Sequence, residues 1–120
     1  TTLPLSCLDE QLEGLDSIAC PIGLVQDDLA LVSDDDLGGR PARGLRKRIV
    51  KAAEFVEKAR LQTNPKRVLR FVKKTGRKVR SFDRKLEKLT SRGKIQAEIS
   101  APLRARAAVV QARIGGLQAL

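Results

Sequence analysis

Apolar residues recur every three or four positions through most of this sequence, the spacing that places one apolar stripe along a helix. The candidate stripes are Leu5, Leu8, Leu12, Leu15 and Ala19; Leu45, Ile49, Ala52, Val56 and Ala59; Val68, Val72, Thr75, Val79, Phe82, Leu86 and Leu89; and Ile99, Leu103, Val110, Ile114 and Leu117. Helices that each bury one stripe and are joined by short links form bundles. The pattern predicts an all-α, up-and-down antiparallel bundle of three long helices, with an acidic N-terminal helix and loop.

The N-terminal segment carries its own boundary signals. Ser6, with Asp9 three residues later, resembles a helix-capping box, and Pro21 followed by Gly23 is expected to end the first helix. Residues 24–39 fit either a short helix or an extended packing segment that leads into a loop.

Two further helices are expected to form a tight hairpin. The second should begin near Pro41, because proline suits the first turn of a helix, and should end near Gln62. Asn64 and Pro65 then indicate an immediate new start, an N-cap side chain followed by a residue whose φ is already helical. A link this short predicts antiparallel neighbours.

The last two helix boundaries depend on a glycine and a proline. The third helix is expected to end at Gly93, a residue type common just beyond helix C-termini. Pro102 leaves two possibilities for the final helix. Either Ser100 caps it, or it begins near Gln96 and is kinked at the proline.

Composition supports helices and indicates that the chain belongs to a larger protein. Apolar residues make up 42% of the sequence, with three Phe and no Trp, Tyr or Met, which suits aliphatic packing between helices. A start at Thr1 indicates a processed product or an excised piece, with any export signal upstream. No run of about 18 apolar residues and no charged leader occurs, so neither a transmembrane segment nor a signal peptide is expected here.

Charge is distributed unevenly. Residues 1–39 contain nine acidic side chains and no lysine or arginine, whereas residues 40–120 contain 24 basic and five acidic ones. We therefore divide the chain at Arg40 into an acidic N-terminal helix and loop, 1–39, and a basic three-helix bundle, 40–120, within one compact domain. The acidic segment could dock on the basic helices, or the basic surface could serve an external polyanion. Because 24 − 5 leaves 19 positive charges against nine negative ones, a positive surplus should remain.

Residues 45–120 resemble a known type of module. The resemblance is carried by residues 45–53, residues 67–79, the Gly93-Lys94-Ile95 step and residues 117–120. Together they are similar to the small basic helical module that follows the catalytic or sugar-binding domains of many secreted bacterial proteins, often compared with FIVAR-type three-helix repeats. The resemblance implies an extracellular accessory role, in which the module spaces, solubilises or surface-associates the preceding domains of its parent protein. It implies no catalytic residues.

Little catalytic or metal-binding equipment is present. The sequence has no His, which removes the commonest general base, and two Cys cannot complete a zinc site without other soft ligands. P-loop, GxGxxG and GxSxG motifs are absent from the sequence as well. We therefore predict no enzymatic activity, no catalytic residues, no metal site and no cofactor.

One acidic cluster hints at a calcium loop, because several carboxylates from a short turn bind hard cations. It consists of Asp34, Asp35 and Asp36 with Gly38 and Gly39. The spacing fails, since a leucine occupies the last loop position, where a bidentate glutamate is needed. A solvated loop, or an acidic patch that faces the basic helices, fits these residues better.

Cys7 and Cys20 are the only cysteines of the sequence, and two cysteines in a secreted protein are expected to pair. In one straight helix their Cα atoms would lie about 20 Å apart, whereas a disulfide needs about 4.4 to 6.8 Å. Either the first helix is short, breaking near Gly14 or Ser17 so that Cys7 can bond to Cys20, or the thiols are unpaired or pair elsewhere. Two buried thiols acting as small apolar side chains are the simple alternative.

The second and third helices share a dense basic face. Its members are Lys66, Arg67, Arg70, Lys73, Lys74, Arg77, Lys78, Arg80, Arg84, Lys85 and Lys88 on the third helix and Arg46, Lys47, Arg48 and Lys51 on the second. All except Arg48 and Arg80 are taken as candidate polyanion contacts, because such residues bind phosphate backbones through counterion release. Phe55, Phe71 and Phe82 lie on or beside the apolar stripes and are assigned to the core, which leaves no aromatic platform for stacking bases.

Two functions are compatible with these features. The first is a non-catalytic accessory domain of a larger secreted or cell-surface bacterial protein, acting as spacer, stabiliser or surface-association module. Its partners would be the preceding domains and an anionic cell-surface polymer. The alternative is a non-specific nucleic-acid or other polyanion-binding bundle, which would also suit a cytoplasmic location. Association of amphipathic helices with a membrane surface is disfavoured, because each apolar stripe is needed for the core.

Overall fold

The computed structural model describes residues 14–118, and this part of the chain contains four helices and no strands. We number them α1 (Asp16–Leu31), α2 (Ala42–Arg60), α3 (Pro65–Ser91) and α4 (Ala97–Gln118). The predicted all-α class is confirmed for the described residues. None of these four helices has the length and apolar character needed to cross a membrane.

One face of each helix supplies the core. Every member of the predicted α2 stripe is at most 1% exposed. On α3, Val79 is 1% exposed and Phe82 and Leu86 are 0% exposed, and on α4 Leu103 and Val110 are each 1% exposed. Burying one such side chain contributes about 1.5 to 3 kcal/mol. The stripes of α2, α3 and α4 are therefore confirmed as core faces.

Two residues outside the helices complete this core. Leu37, in the loop between α1 and α2, is 0% exposed, and Ile95, between α3 and α4, is 2% exposed. Gly38 follows Leu37 with a φ of 93°, a conformation that favours glycine, and turns the loop back toward α2. Helical spacing cannot identify either buried residue, because both lie in connecting segments.

α1 differs from its prediction. Pro21 and Gly23 are expected to end the first helix, but α1 continues through both. That prediction is wrong because the carbonyl of Ser17, which Pro21 leaves without its helical donor, accepts a hydrogen bond from Arg113 of α4 at 2.8 Å. Of the two alternatives for residues 24–39, the helical one holds as far as the end of α1.

α1 contributes to the same core as the other helices. Ile18, Ile22, Val25 and Leu29 are at most 3% exposed. Within the described residues, α1 packs against α2 and α4, and α3 also packs against α2 and α4. α1 thus has an apolar face of its own, which packs against α2 and α4.

The first predicted stripe is described only in part. Leu15 and Ala19 pack half-buried against the core. Gly14, with a φ of 61°, lies in a turn directly before α1. The other stripe members and the predicted capping box lie outside the described residues: Leu5, Leu8, Leu12, Ser6 and Asp9.

The link between α2 and α3 forms where the sequence predicts it. The side-chain oxygen of Asn64 accepts a hydrogen bond from the backbone N–H of Lys66 at 2.9 Å, and Pro65 is the first residue of α3. This bond satisfies one of the amides left free at a helix start. α2 ends at Arg60, close to the predicted end at Gln62.

α3 ends in a Schellman motif. Gly93 has a φ of 75°, its N–H donates to the carbonyl of Thr90 at 3.0 Å, and the N–H of Lys94 donates to the carbonyl of Leu89 at 2.9 Å. The predicted stop at Gly93 is therefore confirmed.

α4 begins ahead of Pro102. The backbone N–H groups of Ile99 and Ser100 donate to the carbonyl of Gln96 at 3.0 and 3.1 Å. Ser100 is buried, and its hydroxyl donates to the carbonyl of Ala97, so it does not cap the helix. Of the two predicted alternatives, the start near Gln96 is correct.

Replacing Val79 or Phe82 by aspartate is expected to unfold the protein, because a carboxylate without a partner would be buried in the core. The loss should be roughly 3 to 5 kcal/mol, a large part of the stability of an ordinary domain. Circular dichroism melts of V79D and F82D check this expectation. Lys73→Ala and Lys85→Ala change side chains outside the core and should melt close to the parent chain. A cooperative melt of V79D at the parent temperature would contradict the buried stripe.

Candidate anion-binding surface

α3 carries far more positive than negative charge. The helix contains eleven lysines and arginines and two acidic residues, Asp83 and Glu87. Both acids face α4, where Arg104 donates to Asp83 at 2.9 Å and lies 3.6 Å from Glu87. The hydrogen bond to Asp83 raises the pKa of Arg104 above its usual value, so Arg104 stays charged. The remaining outer surface of α3 carries positive charge alone.

Seven residues line an open surface groove of about 400 Å³ on the outer side of α2 and α3. They are Arg48 from α2 and Arg77, Arg80, Ser81, Arg84, Lys85 and Lys88 from α3. We call this open groove the arginine groove. Within residues 14–118, none of its six cations forms an ion pair. In this part of the chain, the groove therefore gathers six cations without an ion-pair partner.

Helical spacing brings the α3 residues of the groove together, because side chains three and four positions apart are neighbours on a helix. From α2, Arg48 reaches this surface through a hydrogen bond from its Nε to the hydroxyl of Ser81 at 2.8 Å. The terminal guanidinium nitrogens of Arg48 have no hydrogen-bond partner in the described part of the chain. They remain available to two oxygens of one anionic group.

Two groove residues, Arg48 and Arg80, are missing from the contacts predicted from the sequence. Arg80 lies one turn before Arg84, and that spacing is visible in the sequence. Arg48 depends on the register between α2 and α3, which no single-helix pattern provides. The predicted contacts that do line the groove are Arg77, Arg84, Lys85 and Lys88.

The other predicted contacts lie outside the groove. Lys51 pairs with Glu54 at 3.3 Å. Lys78 is half-buried, and Lys74 is half-buried beside two phenylalanine rings. The remaining ones are exposed on α2 and α3: Lys47, Lys66, Arg67, Arg70 and Lys73.

Arg46, also a predicted contact, has a structural role at the end of α1. Its guanidinium donates to the carbonyls of Leu29 and Val32 at 2.5 and 2.6 Å, and its Nε donates to Asp34 at 3.1 Å. The last carbonyls of a helix lack helical donors, so Arg46 caps α1 from α2. It does not line the groove.

Two of the three phenylalanines do not belong to the core. Phe82 is fully buried, but Phe55 and Phe71 are half-buried outside the core cluster. Each immediately precedes a core valine, Val56 or Val72, and is therefore rotated by about 100° from it. The assignment of Phe55 and Phe71 to the core is wrong for this reason. Their rings stack with centroids 6.3 Å apart and an interplanar angle of 27°.

Lysine side chains lie over this aromatic pair. The ammonium of Lys58 is 5.6 Å from the ring centroid of Phe55, and that of Lys74 is 5.7 Å from Phe55 and 5.4 Å from Phe71. Separations within about 6 Å give cation–π attraction. The reason given for expecting no aromatic platform, that all three phenylalanines belong to the core, is therefore wrong for this half-buried pair, which lies beneath two lysines.

The acidic segment pairs with the basic helices, as one of the two charge interpretations predicts. Within the described residues, three ion pairs join them: Asp16 to Arg60 at 2.7 Å, Asp28 to Arg106, and Asp34 to Arg46 at 3.1 Å. The arginines of these pairs belong to α2 and α4. Within residues 14–39, no carboxylate of this segment forms an ion pair with α3.

The aspartates at the start of the α1 to α2 loop have different surroundings. Asp34 binds Arg46, which agrees with an acidic patch that faces the basic helices. Asp35 and Asp36 are exposed. Over residues 14–118, no three side chains of the metal-binding types are gathered into a possible metal site.

Cys20 is half-buried on α1 and is disulfide-bonded. Gly14 and Leu15 form a turn, so residues 7–20 are not one straight helix, and the distance objection to a bond does not apply. Cys7 lies outside the described residues. Its pairing with Cys20 stays a prediction.

No protein-family model, curated protein or solved structure matches this chain. The resemblance to the basic helical module of secreted bacterial proteins therefore stays a prediction. The features available for a functional argument are the unpaired cations of the arginine groove and the aromatic pair on the same two helices.

Arg46→Ala is expected to lower the free energy of unfolding by about 1.5 to 3 kcal/mol, because the last turn of α1 loses charge-assisted hydrogen bonds. Arg46→Lys should recover only part of this loss, since one ammonium cannot reproduce the forked geometry of a guanidinium. Urea unfolding followed by circular dichroism measures both effects. The matched control is Arg43→Ala on the same helix, exposed and expected to change stability by about 0.5 kcal/mol or less. Equal stability of R46A and R43A would argue against the capping role.

Proposed function

We propose that this chain is a non-catalytic accessory domain of a larger secreted bacterial protein, and that it associates with an anionic polymer through the arginine groove. The observation that carries the proposal is that six cations line one groove and none is paired within residues 14–118. Gathering like charges costs electrostatic free energy in the folded state. A bound polyanion would remove that cost.

The chemistry of the groove suits a chain of phosphate or similar anionic groups. Four of its six cations are arginines, whose planar guanidinium groups bind two oxygens at once. Lysines and arginines that neutralise a charged polymer also release its condensed counterions, which drives association. From Arg77 to Lys88 the helix rises about 16 Å. That length accommodates several charges of an extended polymer.

A secreted location is supported by the disulfide at Cys20, since disulfides persist mainly in oxidising compartments. The resemblance of residues 45–120 to the module of secreted bacterial proteins points to the same location. There, the preceding domains of the parent protein and an anionic cell-surface polymer would be the partners.

We also infer that the helices form an up-and-down antiparallel bundle. The packing of each helix against two neighbours supports this arrangement, and so do the short links on either side of α3, because short connections favour antiparallel neighbours. In such a bundle the back of α3 faces solvent and is accessible to a polymer.

A non-specific nucleic-acid-binding bundle is the second candidate function. The stacked rings of Phe55 and Phe71 favour it, because bases stack on aromatic side chains. This function would use the arginine groove for the phosphates and would not require secretion.

The double variant R80A/R84A is expected to weaken binding of a single-stranded oligonucleotide several-fold at about 50 mM salt, because two phosphate contacts are lost. The slope of log affinity against log salt should fall in magnitude by roughly 1.4, about 0.7 for each contact. Fluorescence anisotropy of a labelled strand between about 50 and 200 mM salt measures both quantities.

The matched control is R43A/K47A, which removes two exposed cations at the same four-residue spacing from α2 and lowers the net charge equally. This variant should bind nearly as well as the parent chain. Equal losses in the two variants would assign binding to net charge rather than to the groove. No measurable binding of heparin fragments or oligonucleotides at about 50 mM salt would end the proposal.

A further inference from the structure

The arginine groove and the aromatic pair lie along one seam between α2 and α3. Two contacts cross the outer side of this seam, Arg48 to Ser81 and Phe55 to Phe71, and the buried contact of Thr75 with the carbonyl of Ala52 lies beneath them in the core. The residue numbers rise along α2 while they fall along α3. The groove and the aromatic pair therefore follow one another along the same surface between α2 and α3.

The distance between the arginine groove and the aromatic pair is short. Arg48 and Phe55 are seven residues apart, which is two helical turns, so they project from the same side of α2 about 10 Å apart along its axis. On α3, Lys74 and Lys78 lie between the aromatic ring of Phe71 and the groove. Neither lysine forms an ion pair within the described residues. The path from the groove to the rings is thus lined with positive charge.

We propose that this seam binds single-stranded nucleic acid, with phosphates in the arginine groove and a base stacked on Phe55 or Phe71. The inference rests on the proposed binding of a polyanion in the groove, and it deepens the second candidate function by specifying a single strand and the position of its base. A cationic track that leads to aromatic side chains is the arrangement by which proteins bind single strands without sequence preference. A sulfated polysaccharide would fill the groove but has no aromatic base to place on the rings.

The lysines above the rings fit this role. Lys58 is exposed and Lys74 is half-buried, and their ammonium groups stand 5.4 to 5.7 Å from the ring centroids. Ammonium groups, and not core side chains, lie over these ring faces. A phosphodiester that attracts the ammonium groups draws them off the rings and brings its own base to the uncovered faces. A duplex keeps its bases stacked inside and cannot use the rings in this way.

Two independent measurements test the inference. First, the chain has no Trp or Tyr, so F71W introduces a single fluorophore at the aromatic pair. An oligothymidine strand is expected to change its emission, and heparin is expected to leave it unchanged. Second, the unmodified chain should bind oligothymidine roughly tenfold more tightly than an abasic strand of the same length and charge, because base stacking is lost in the abasic strand.

The variant F55L/F71L should abolish the difference between the two strands while it keeps the affinity for the abasic one. Leu69→Ala is the matched control. Leu69 is 44% exposed and precedes Phe71 by two residues, which places it on the other side of α3. This control should preserve the difference between the strands.

Equal affinity of the unmodified chain for strands with and without bases would overturn the inference and leave the proposed function standing. An equal emission change of F71W with heparin, or tighter binding of a duplex than of the single strand, would overturn it as well. If no polyanion binds, the proposed function itself fails.

Discussion

The core of this protein admits no unpaired charge, and that constraint decides where its lysines and arginines lie. α3 is 27 residues long and turns Val72, Val79, Phe82 and Leu86 into the core. An unpaired charge in that position would cost several kcal/mol. The eleven cations of α3 are consequently confined to the rest of its surface. Their density along one side of the helix is a direct result of how the helix packs.

Ion pairing then determines which cations remain uncompensated. The arginines of α2 and α4 attach α1: Arg46 caps its last turn, Arg106 binds Asp28, and Arg113 donates to the carbonyl of Ser17. Within the described residues, α1 lies next to α2 and α4 and is not adjacent to α3. The ion pairs of α1 are accordingly made with arginines of α2 and α4. Within residues 14–118, all eleven lysines and arginines of α3 are without an ion pair.

Most of the fold could be predicted because most of its determinants act within one helix. The cap at Asn64 and the stop at Gly93 are signals of this local kind. Pro21 is misleading because the group that compensates for it, Arg113, lies 96 residues beyond Ser17, the residue whose carbonyl it satisfies.

The candidate site, the arginine groove, was predictable to the same extent. Helical spacing alone brings together the residues that α3 supplies, whereas the place of Arg48 depends on the register between two helices. The burial of a residue next to an apolar stripe cannot be predicted from its own helix for a similar reason, because the distance to the neighbouring helix decides whether that residue enters the core.

Under the proposed function, the crowding of charge on α3 would link the stability of the domain to the occupancy of the groove. Like charges one turn apart destabilise a helix by about 0.2 to 0.5 kcal/mol for each pair, and Arg77, Arg80, Arg84 and Lys88 form a series of such pairs. An anion bound to them relieves the repulsion in the folded state alone, so it stabilises the fold by mass action. The core residue Val79 lies on the opposite side of the same helix. A polymer bound in the groove, as proposed, would therefore leave the packing of the core undisturbed.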